Sequence, residues 1–346
     1  MEEGEEEKKM RPLLLFAFWG LCSITAPAQR LALTLPTANK GLAKGDLAAF
    51  YMPTDLKTKP PESGSWGFVR NLRSFPERNV YTRFHEGLDI RPVARNARGI
   101  PTDPVKAIAS GVVAYANSSA SASNYGKYVV VQHNFGYGPM YSLYAHLGSV
   151  TVRAGQRVVQ GAQLGVLGST GRGLNNARAH LHIELDIMLS ERYDDYIGGG
   201  NPHGNCNGLN LAGIDLADIY KTMWKNPNMN LAKYIHALPQ HYRITIPQDK
   251  PGPLPIVQRY PWMKFGNHDK PAKSWEMAFT RAGFLIGVAP SEREVSKPTV
   301  TFVRSTSVNH SHFTIGRLTG TGSSAKLTSS GERYIRLLTD DFPHRN

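Results

Sequence analysis

The feature that most constrains the fold is a close succession of short apolar runs separated by glycine-containing turns. The runs are three to five residues long and pair across these turns: 105–108 with 112–115, 128–132 with 140–144, and 150–152 with 157–159. Short strands joined by short turns pair as antiparallel neighbours. A parallel sheet would need a crossover helix between successive strands, and the intervals are too short for one. The pattern predicts a mostly β domain with an antiparallel sheet.

Composition agrees with a turn-rich chain that has a core. The 346 residues include 33 glycines and 23 prolines, and apolar residues make up 41% against 19% charged residues. This balance predicts a globular chain, and the length suggests about two domains. Two cysteines cannot form a disulfide framework for a chain of this size.

The charge bears on the surroundings of the protein. A formal net charge of +13 favours polyanionic partners such as nucleic acid, acidic lipid or an anionic wall. The chain lacks a basic motif interleaved with aromatic residues, and its N-terminus resembles an export signal, so we predict no nucleic-acid partner.

The first 28 residues are predicted to be a signal peptide. An apolar stretch at 13–25 follows basic residues and precedes Ala26-Pro27-Ala28, which fits a signal peptidase site. Because the acidic prefix before Met10 is unusual for a signal, we predict that the chain starts at Met10. Cleavage would leave an exported, periplasmic or extracellular protein of the cell envelope with no stable membrane span, and Cys206 as its one cysteine, either buried or exposed. An uncleaved N-terminal anchor is the alternative.

We divide the remaining chain into an N-terminal extension (29–63), a β domain (64–195) and an α+β C-terminal extension of unknown role (196–346). Helical spacing of apolar residues predicts a helix at 215–225. The five prolines within 247–261 predict an extended linker. Strands are predicted at 299–303, 312–315 and 333–338. The oligomeric state is not predicted.

Three histidine-containing segments are candidates for a metal site: residues 85–89, 144–147 and 180–184. In a strand, His180, His182 and Glu184 project from the same face. In the first segment, Gly87 allows the chain to bend so that both ends converge. Imidazole and carboxylate are zinc ligands, and a catalytic site keeps three protein ligands and one open position. The His-x-His pair at 310–312 has no partner motif, so we predict no metal there.

The order, spacing and flanking residues of these segments resemble the lysostaphin-like (LytM-type) zinc endopeptidases, which cut peptide links in bacterial peptidoglycan. The resemblance covers about residues 63–185. It includes a His-x-Gly-x-Asp motif at 85–89, Tyr-x-His-Leu at 144–147, and His-Leu-His followed by Glu at 180–184. The sequence departs from the family pattern at 175–179 and at Ile183, where the family more often has an aromatic residue, and these changes bear on substrate fit more than on metal binding.

The resemblance implies a groove floored by an antiparallel sheet, with one Zn²⁺ bound by His85, Asp89 and His182. It implies that His146 and His180 are the catalytic histidines, and which one acts as base stays open. Glu184 either orients a histidine or is an exposed strand carboxylate.

The predicted function is that of an exported zinc endopeptidase which hydrolyses peptide bonds in peptidoglycan stem peptides or cross-bridges. The predicted mechanism uses a zinc-activated water assisted by two histidines. The alternative is a catalytically inactive protein of the same fold that binds the cell wall or a partner.

Overall fold

The computed structural model describes residues 31–54, 56, 60–249, 251–269 and 271–344. The predicted signal peptide lies outside these residues. Within the described ranges, no helix has the length and apolar character needed to cross a bilayer.

The described chain forms short helices and many strands, in the following order. Two short helices come first: α1 (Gly41–Lys44) and α2 (Leu47–Phe50). Ten strands follow: β1 (Gly67–Ser74), β2 (Asn79–His85), β3 (Leu88–Ile90), β4 (Pro104–Lys106), β5 (Gly111–Asn117), β6 (Lys127–Asn134), β7 (Pro139–Val150), β8 (Arg157–Val158), β9 (Gln163–Leu167) and β10 (Leu181–Met188). The remaining elements are α3 (Tyr193–Ile197), β11 (Leu211–Gly213), α4 (Leu216–Lys225), α5 (Leu231–His236), β12 (Gln240–Pro247), α6 (Pro255–Arg259), β13 (Ser274–Thr280), β14 (Leu285–Ser291), β15 (Thr299–Val303), β16 (Leu318–Thr319), β17 (Lys326–Leu327) and α7 (Ser329–Thr339).

The predicted antiparallel sheet is confirmed. Among the described residues it has nine strands, and its main path runs β11-β10-β7-β6-β5-β8, while β3 pairs with β10, and β9 pairs with β4 and β7. Every strand pairing in this sheet is antiparallel. Strands β6, β7 and β10 carry long runs of buried residues on both faces, since other parts of the chain cover the sheet.

Residues 31–54 pack against this sheet rather than projecting from it. Leu31, Phe50 and Tyr51 are buried, and Tyr51 forms an isolated β-bridge with Ile90 of β3. The backbone N–H of Met52 donates to the carbonyl of Asp89 at 2.8 Å. This segment therefore supports the short strand that carries Asp89.

The C-terminal part forms a second antiparallel sheet, β14-β13-β12-β15, which shares a hydrophobic core with the first. Trp262 donates its indole N–H to the carbonyl of Tyr137 at 2.7 Å, and the Tyr260 hydroxyl donates to the carbonyl of Pro139 at 2.8 Å. The β1–β2 hairpin also contacts this part, since Arg78 donates to the Thr306 hydroxyl at 2.8 Å. Both sheets therefore support the same hairpin.

The predictions for the C-terminal part are partly wrong. The helix predicted at 215–225 is confirmed as α4, capped by Asp215, whose side chain accepts from the Asp218 N–H. The strand predicted at 299–303 is confirmed as β15. The linker predicted at 247–261 instead contains helix α6, because Pro255 occupies the first helical position, where no N–H is needed.

Two further predicted strands are wrong. Residues 333–338 lie in α7, which begins after the cap residue Thr328 and buries Tyr334, Ile335 and Leu338 at helical spacing. Residues 312–315 include the end of a 3₁₀ turn at His310–His312 and the turn that follows it, and the Asn309 side chain starts the 3₁₀ turn by accepting from the Ser311 N–H. In both places a polar side chain binds the backbone just before a short apolar run, and that favours a helical turn.

Candidate metal centre

Three side chains from separate strands meet at one point. His85 ends β2, Asp89 lies in β3, and His182 lies opposite Asp89 in the β3–β10 ladder. Asp89 Oδ1 is 3.1 Å from His85 Nε2 and 2.9 Å from His182 Nδ1, and the two nitrogens are 3.1 Å apart. All three residues are buried. They are the one group of metal-type ligands of this kind in the described ranges.

The second nitrogen of each imidazole shows which lone pairs point inward. His85 Nδ1 is 2.8 Å from the carbonyl of Ser65, and His182 Nε2 is 2.6 Å from Glu184 Oε1. Because carbonyl and carboxylate oxygens only accept, we assign the ring protons to these outer nitrogens. When both rings are neutral, the two inner nitrogens and Asp89 Oδ1 present three lone pairs to one point. Two imidazole nitrogens and a carboxylate oxygen are ligand atoms that fit a cation such as Zn²⁺.

The two carboxylates beside His182 favour a positive charge at this position. Burial opposes charging of His182, but hydrogen bonds to Asp89 and Glu184 outweigh it and raise the pKa of His182 to about 10. Either a second ring proton or a bound cation that displaces this proton supplies the charge. Burial likewise opposes ionisation of Asp89, yet the imidazoles of His85 and His180 hold its pKa well below the usual value. Asp89 is therefore a carboxylate at neutral pH.

Gly87 is needed for space rather than for flexibility. A Cβ at this position would collide with the carbonyl oxygen of Ile183 and lie 2.8 Å from Cγ of Glu184 and 3.0 Å from Cε1 of His182. The loop between His85 and Asp89 therefore packs directly on β10.

Glu184 is buried against His182 and not exposed. Its side chain also accepts from the Tyr125 hydroxyl at 2.8 Å. Burial alone would raise the pKa of Glu184, but the contact with His182 lowers it, while burial and the Glu184 charge raise the pKa of Asp186 well above its usual value. Glu184 is thus an anion hydrogen-bonded to His182, next to a carboxyl, that of Asp186, which burial and the Glu184 charge make harder to ionise.

Arg70, in β1, holds the other oxygen of Asp89. Its Nη2 donates to Asp89 Oδ2 at 2.5 Å, and its Nε donates to the carbonyl of Ser63 at 2.8 Å. Asp89 Oδ1 is thereby turned toward the two histidines. The sequence analysis missed Arg70, because one arginine of a basic hairpin carries no signal that distinguishes it from the others. Asp186 could have been found, since strand alternation from His182 and Glu184 places it on the same face.

The two other predicted site histidines lie beside the cluster. His180 Nδ1 is 2.7 Å from the carbonyl of Arg178, and its Nε2 is 3.3 Å from Asp89 Oδ1. His146 Nδ1 is 2.9 Å from the carbonyl of Thr170, and its ring centroid is 4.8 Å from that of His180. The two carbonyl oxygens accept from the Nδ1–H groups. In each neutral ring, Nε2 therefore carries the lone pair. All five predicted residues therefore come together.

His146 has an unusual backbone and a lowered basicity. Its φ of +61° is a left-handed conformation that non-glycine residues seldom adopt, and it falls where the β6–β7 pairing is irregular. Burial and the neighbouring His180 and His182 lower the pKa of His146 to about 3. The imidazole is therefore neutral at pH 7.

Two other ionisable side chains are not part of the cluster. Glu86, which directly follows His85, is exposed. Cys206 is buried and forms no disulfide with another described residue, and burial raises the pKa of its thiol to about 11. At neutral pH the thiol is protonated and a poor ligand.

The antiparallel sheet and the convergence of two histidines and an aspartate on it agree with what the resemblance implied. Residues 83–194 match Peptidase family M23, so the resemblance to lysostaphin-like endopeptidases is confirmed for this segment. Members of that family are typically zinc-dependent.

Several curated proteins are similar over part of their length. The chain is 38% identical over 97 residues to the cell division protein DipM of Caulobacter vibrioides, a match that covers 28% of this chain and 15% of that one. It is 38% identical over 84 residues to the peptidoglycan DD-endopeptidase ShyA of Vibrio cholerae, a match that covers 24% of this chain and 17% of ShyA. It is 27% identical over 164 residues to the murein hydrolase activator NlpD of Salmonella dublin, covering 47% and 35%. The chain thus spans about a third or less of these relatives.

One solved structure similar to the chain is the catalytic domain of lysostaphin from Staphylococcus simulans, at 26% identity and a TM-score of 0.25, covering 38% of this chain and 75% of that one. The family assignment rests on the sequence match and on the residues that meet at the site.

Proposed function

We propose that the protein is an exported zinc endopeptidase that hydrolyses peptide bonds of peptidoglycan, in stem peptides or cross-bridges. The observation that carries the proposal is the convergence of three ligand atoms, His85 Nε2, Asp89 Oδ1 and His182 Nδ1, within 3.1 Å of one another. A divalent cation bound there would replace a proton at His182 Nδ1 and offset the charge of Asp89.

His85, Asp89 and His182 would hold one Zn²⁺. When bound, this ion lowers the pKa of a coordinated water to about 7 and polarises a carbonyl oxygen. The protein's part is to keep the ligands in place. Ser65 and Glu184 fix the two imidazole tautomers, and Arg70 fixes the carboxylate.

His146 and His180 would handle the proton and the developing negative charge. Each donates its Nδ1 proton to a backbone carbonyl, which fixes the ring and leaves Nε2 free toward the site. A neutral ring of this pair can accept a proton from the attacking water at Nε2, and the imidazolium that forms can then protonate the leaving nitrogen. We assign the base and acid steps to His146 and His180 as a pair.

Two observations support peptidoglycan as the substrate. The family match includes a relative named as a peptidoglycan endopeptidase, and the net charge of +13 suits an anionic envelope. The cell envelope is also where the predicted signal peptide would send the chain.

A digest of purified peptidoglycan tests the proposal. The zinc-loaded protein should release new amino termini, and a chelator should stop the release until zinc is restored. The matched control is His146→Ala, which keeps the three metal ligands and should release none. Release that persists after zinc is removed, with zinc content measured at zero, would contradict the zinc mechanism.

A second candidate is a protein of the same fold that binds the wall or a partner without cutting. It is favoured by the similarity to a murein hydrolase activator, and by the burial of the ligand side chains, of which His85, Asp89 and His182 are 2%, 4% and 6% exposed. Bound zinc without release from any wall type would support this candidate.

A further inference from the structure

A second cluster of charged groups lies away from the candidate metal centre, where the β1–β2 hairpin meets the C-terminal sheet. It lines a cavity of about 270 Å³. The lining residues come from the hairpin turn, from the segments that flank β12 and β15, and from two loops: Arg78, Pro239, Gln240, His241, Arg281, Arg304, Ser305, Thr306 and Phe313.

The charge of this cavity has one sign. Its lining includes three arginines, Arg78, Arg281 and Arg304, together with His241. Among the described residues that line it there is no carboxylate. Guanidinium groups at such short range repel one another, so this arrangement costs stability unless an anion offsets it.

Aromatic rings hold two of these arginines in place. The guanidinium of Arg281 lies between two rings, 4.6 Å from the centroid of Phe68 and 4.4 Å from that of Phe313. Arg78 lies 5.2 Å from the same Phe313 ring and donates to the Thr306 hydroxyl. Stacking on aromatic faces fixes the planes of both groups while leaving N–H donors at their edges.

The third arginine is fixed from the backbone. Arg304 donates from Nη2 to the carbonyl of Gln240 at 3.1 Å, and its backbone N–H donates to the carbonyl of His241 at 2.7 Å. The hairpin and the C-terminal sheet therefore present their cations to the same cavity.

Two buried polar atoms of this cluster have no hydrogen-bond partner in the described part of the chain: Nε2 of His241 and Nε of Arg281. His241 is only 9% exposed and lines the cavity. Buried polar groups are nearly always hydrogen-bonded, so an unpartnered pair beside a cationic cavity points to a missing acceptor.

We propose that this cavity binds a phosphoryl group. Three guanidinium forks and an imidazole match the several oxygens and the double negative charge of phosphate better than the two oxygens of a single carboxylate. The bound group would bridge Arg78 of the hairpin to Arg281 and Arg304 of the C-terminal part. The site does not depend on the candidate metal centre or on the proposed peptidase activity.

Calorimetric titration with inorganic phosphate tests the site, using the full protein and the variants Arg78→Gln and Arg304→Gln. Both side chains are exposed, so the variants should fold, and circular dichroism checks this. Each variant should weaken phosphate binding by about tenfold or more. Arg153→Gln, an exposed arginine elsewhere on the surface, is the matched control and should bind like the wild type. Phosphate bound at any other site contributes equally to the heat of binding measured for all four proteins, so it does not affect the comparison.

Two further titrations define the ligand. Dimethyl phosphate that binds as tightly as inorganic phosphate assigns the site to phosphodiesters of a polymer, whereas binding of inorganic phosphate alone assigns it to free phosphate or a monoester. Acetate should bind at least tenfold more weakly than phosphate. Equal phosphate affinity in wild type, Arg78→Gln and Arg304→Gln would overturn the proposal, as would acetate binding as tightly as phosphate.

Discussion

The candidate metal centre and the cationic cavity are electrostatic opposites. At the metal centre, two imidazole nitrogens and a carboxylate oxygen converge within 3.1 Å of one another. At the cavity, three guanidinium groups and a histidine converge with no carboxylate among the described lining residues. The side chains of the metal centre favour a bound cation, and those of the cavity favour a bound anion. The side chains that face a site therefore indicate the charge of its ligand before any ligand is known.

The two clusters are built by different means. The metal centre is set by strand pairing, since Asp89 and His182 are direct partners in the β3–β10 ladder. The cavity is formed where separate sheets meet, and its arginines are placed by stacking on Phe68 and Phe313.

The β1–β2 hairpin takes part in both clusters. Arg70 on this hairpin holds Asp89, and Arg78 in its turn lines the cavity. A substitution in one cluster can nevertheless be tested without altering the other cluster, because Arg70 and Arg78 contact different partners.

The largest expected effect is the loss of zinc from His182→Ala. This change removes one of three ligands and the residue that Glu184 orients, so we expect zinc content to fall from one ion per chain to near zero. Mass spectrometry of the dialysed protein measures it. Phosphate binding at the cavity should be unchanged. Full zinc occupancy in this variant would show that His182 is not a ligand.

The next effect separates metal binding from turnover. His146→Ala should keep one zinc per chain and lower the rate of peptide hydrolysis by about 10²–10⁴-fold, as expected for loss of a general base. The rate is measured on purified peptidoglycan, with His312→Ala in the C-terminal part as control. A variant with unchanged rate would exclude His146 from the proton transfer.

A smaller effect is expected for Glu184→Gln. The amide keeps the size of the side chain but removes the charge that orients His182, so zinc affinity should fall by about 10–100-fold. Competition with a zinc chelator measures the dissociation constant. Glu191→Gln is a matched control, because the Glu191 side chain is 65% exposed and lies beyond the end of β10. Equal affinities in the two variants would mean that Glu184 does not support the ligand.

The smallest effect concerns the pH dependence of stability at the cavity. Burial and the charges of His310, Arg281 and Arg304 lower the pKa of His241 from 6.5 to about 4. The unfolded chain therefore binds this proton more readily, so the contribution of His241 is complete above pH 6.5 and is lost as pH falls toward 4. His241→Gln should flatten the decline in unfolding free energy over this range by about 2 kcal/mol.

Denaturant unfolding at pH 4.5 and at pH 7 measures this decline in unfolding free energy, which is the slope compared between proteins. His344→Gln serves as comparison, because the His344 side chain lies outside the cavity and is 78% exposed. Added phosphate should reduce the decline in the wild type more than in His241→Gln, because an anion in the cavity stabilises the protonated ring. An identical slope in both proteins would contradict the proposed burial of His241 among cations.

The sequence predicted the sheet and the site residues better than their surroundings. Strand alternation places His180, His182 and Glu184 on one face of the sheet. Asp89 of β3 pairs directly with His182, and His85 lies only four residues before Asp89, so both reach the same site. Such contacts follow from local periodicity and can be read along the chain.

Contacts between distant segments could not be predicted in this way. Arg70 reaches Asp89, and Tyr125 reaches Glu184, only because the hairpin and the 118–126 loop fold over β10. The strand predicted at 333–338 is wrong, since these residues lie in α7. Its cap at Thr328 and the return of Leu338 four residues after Tyr334 were the signals that favoured a helix.

The central claim is that His85, Asp89 and His182 share one divalent cation. X-ray absorption at the zinc edge of the zinc-loaded protein tests it most directly. We expect four light ligands at about 2.0–2.2 Å with the multiple-scattering pattern of two imidazoles. A sulfur shell near 2.3 Å, or a spectrum without imidazole scattering, would contradict the account.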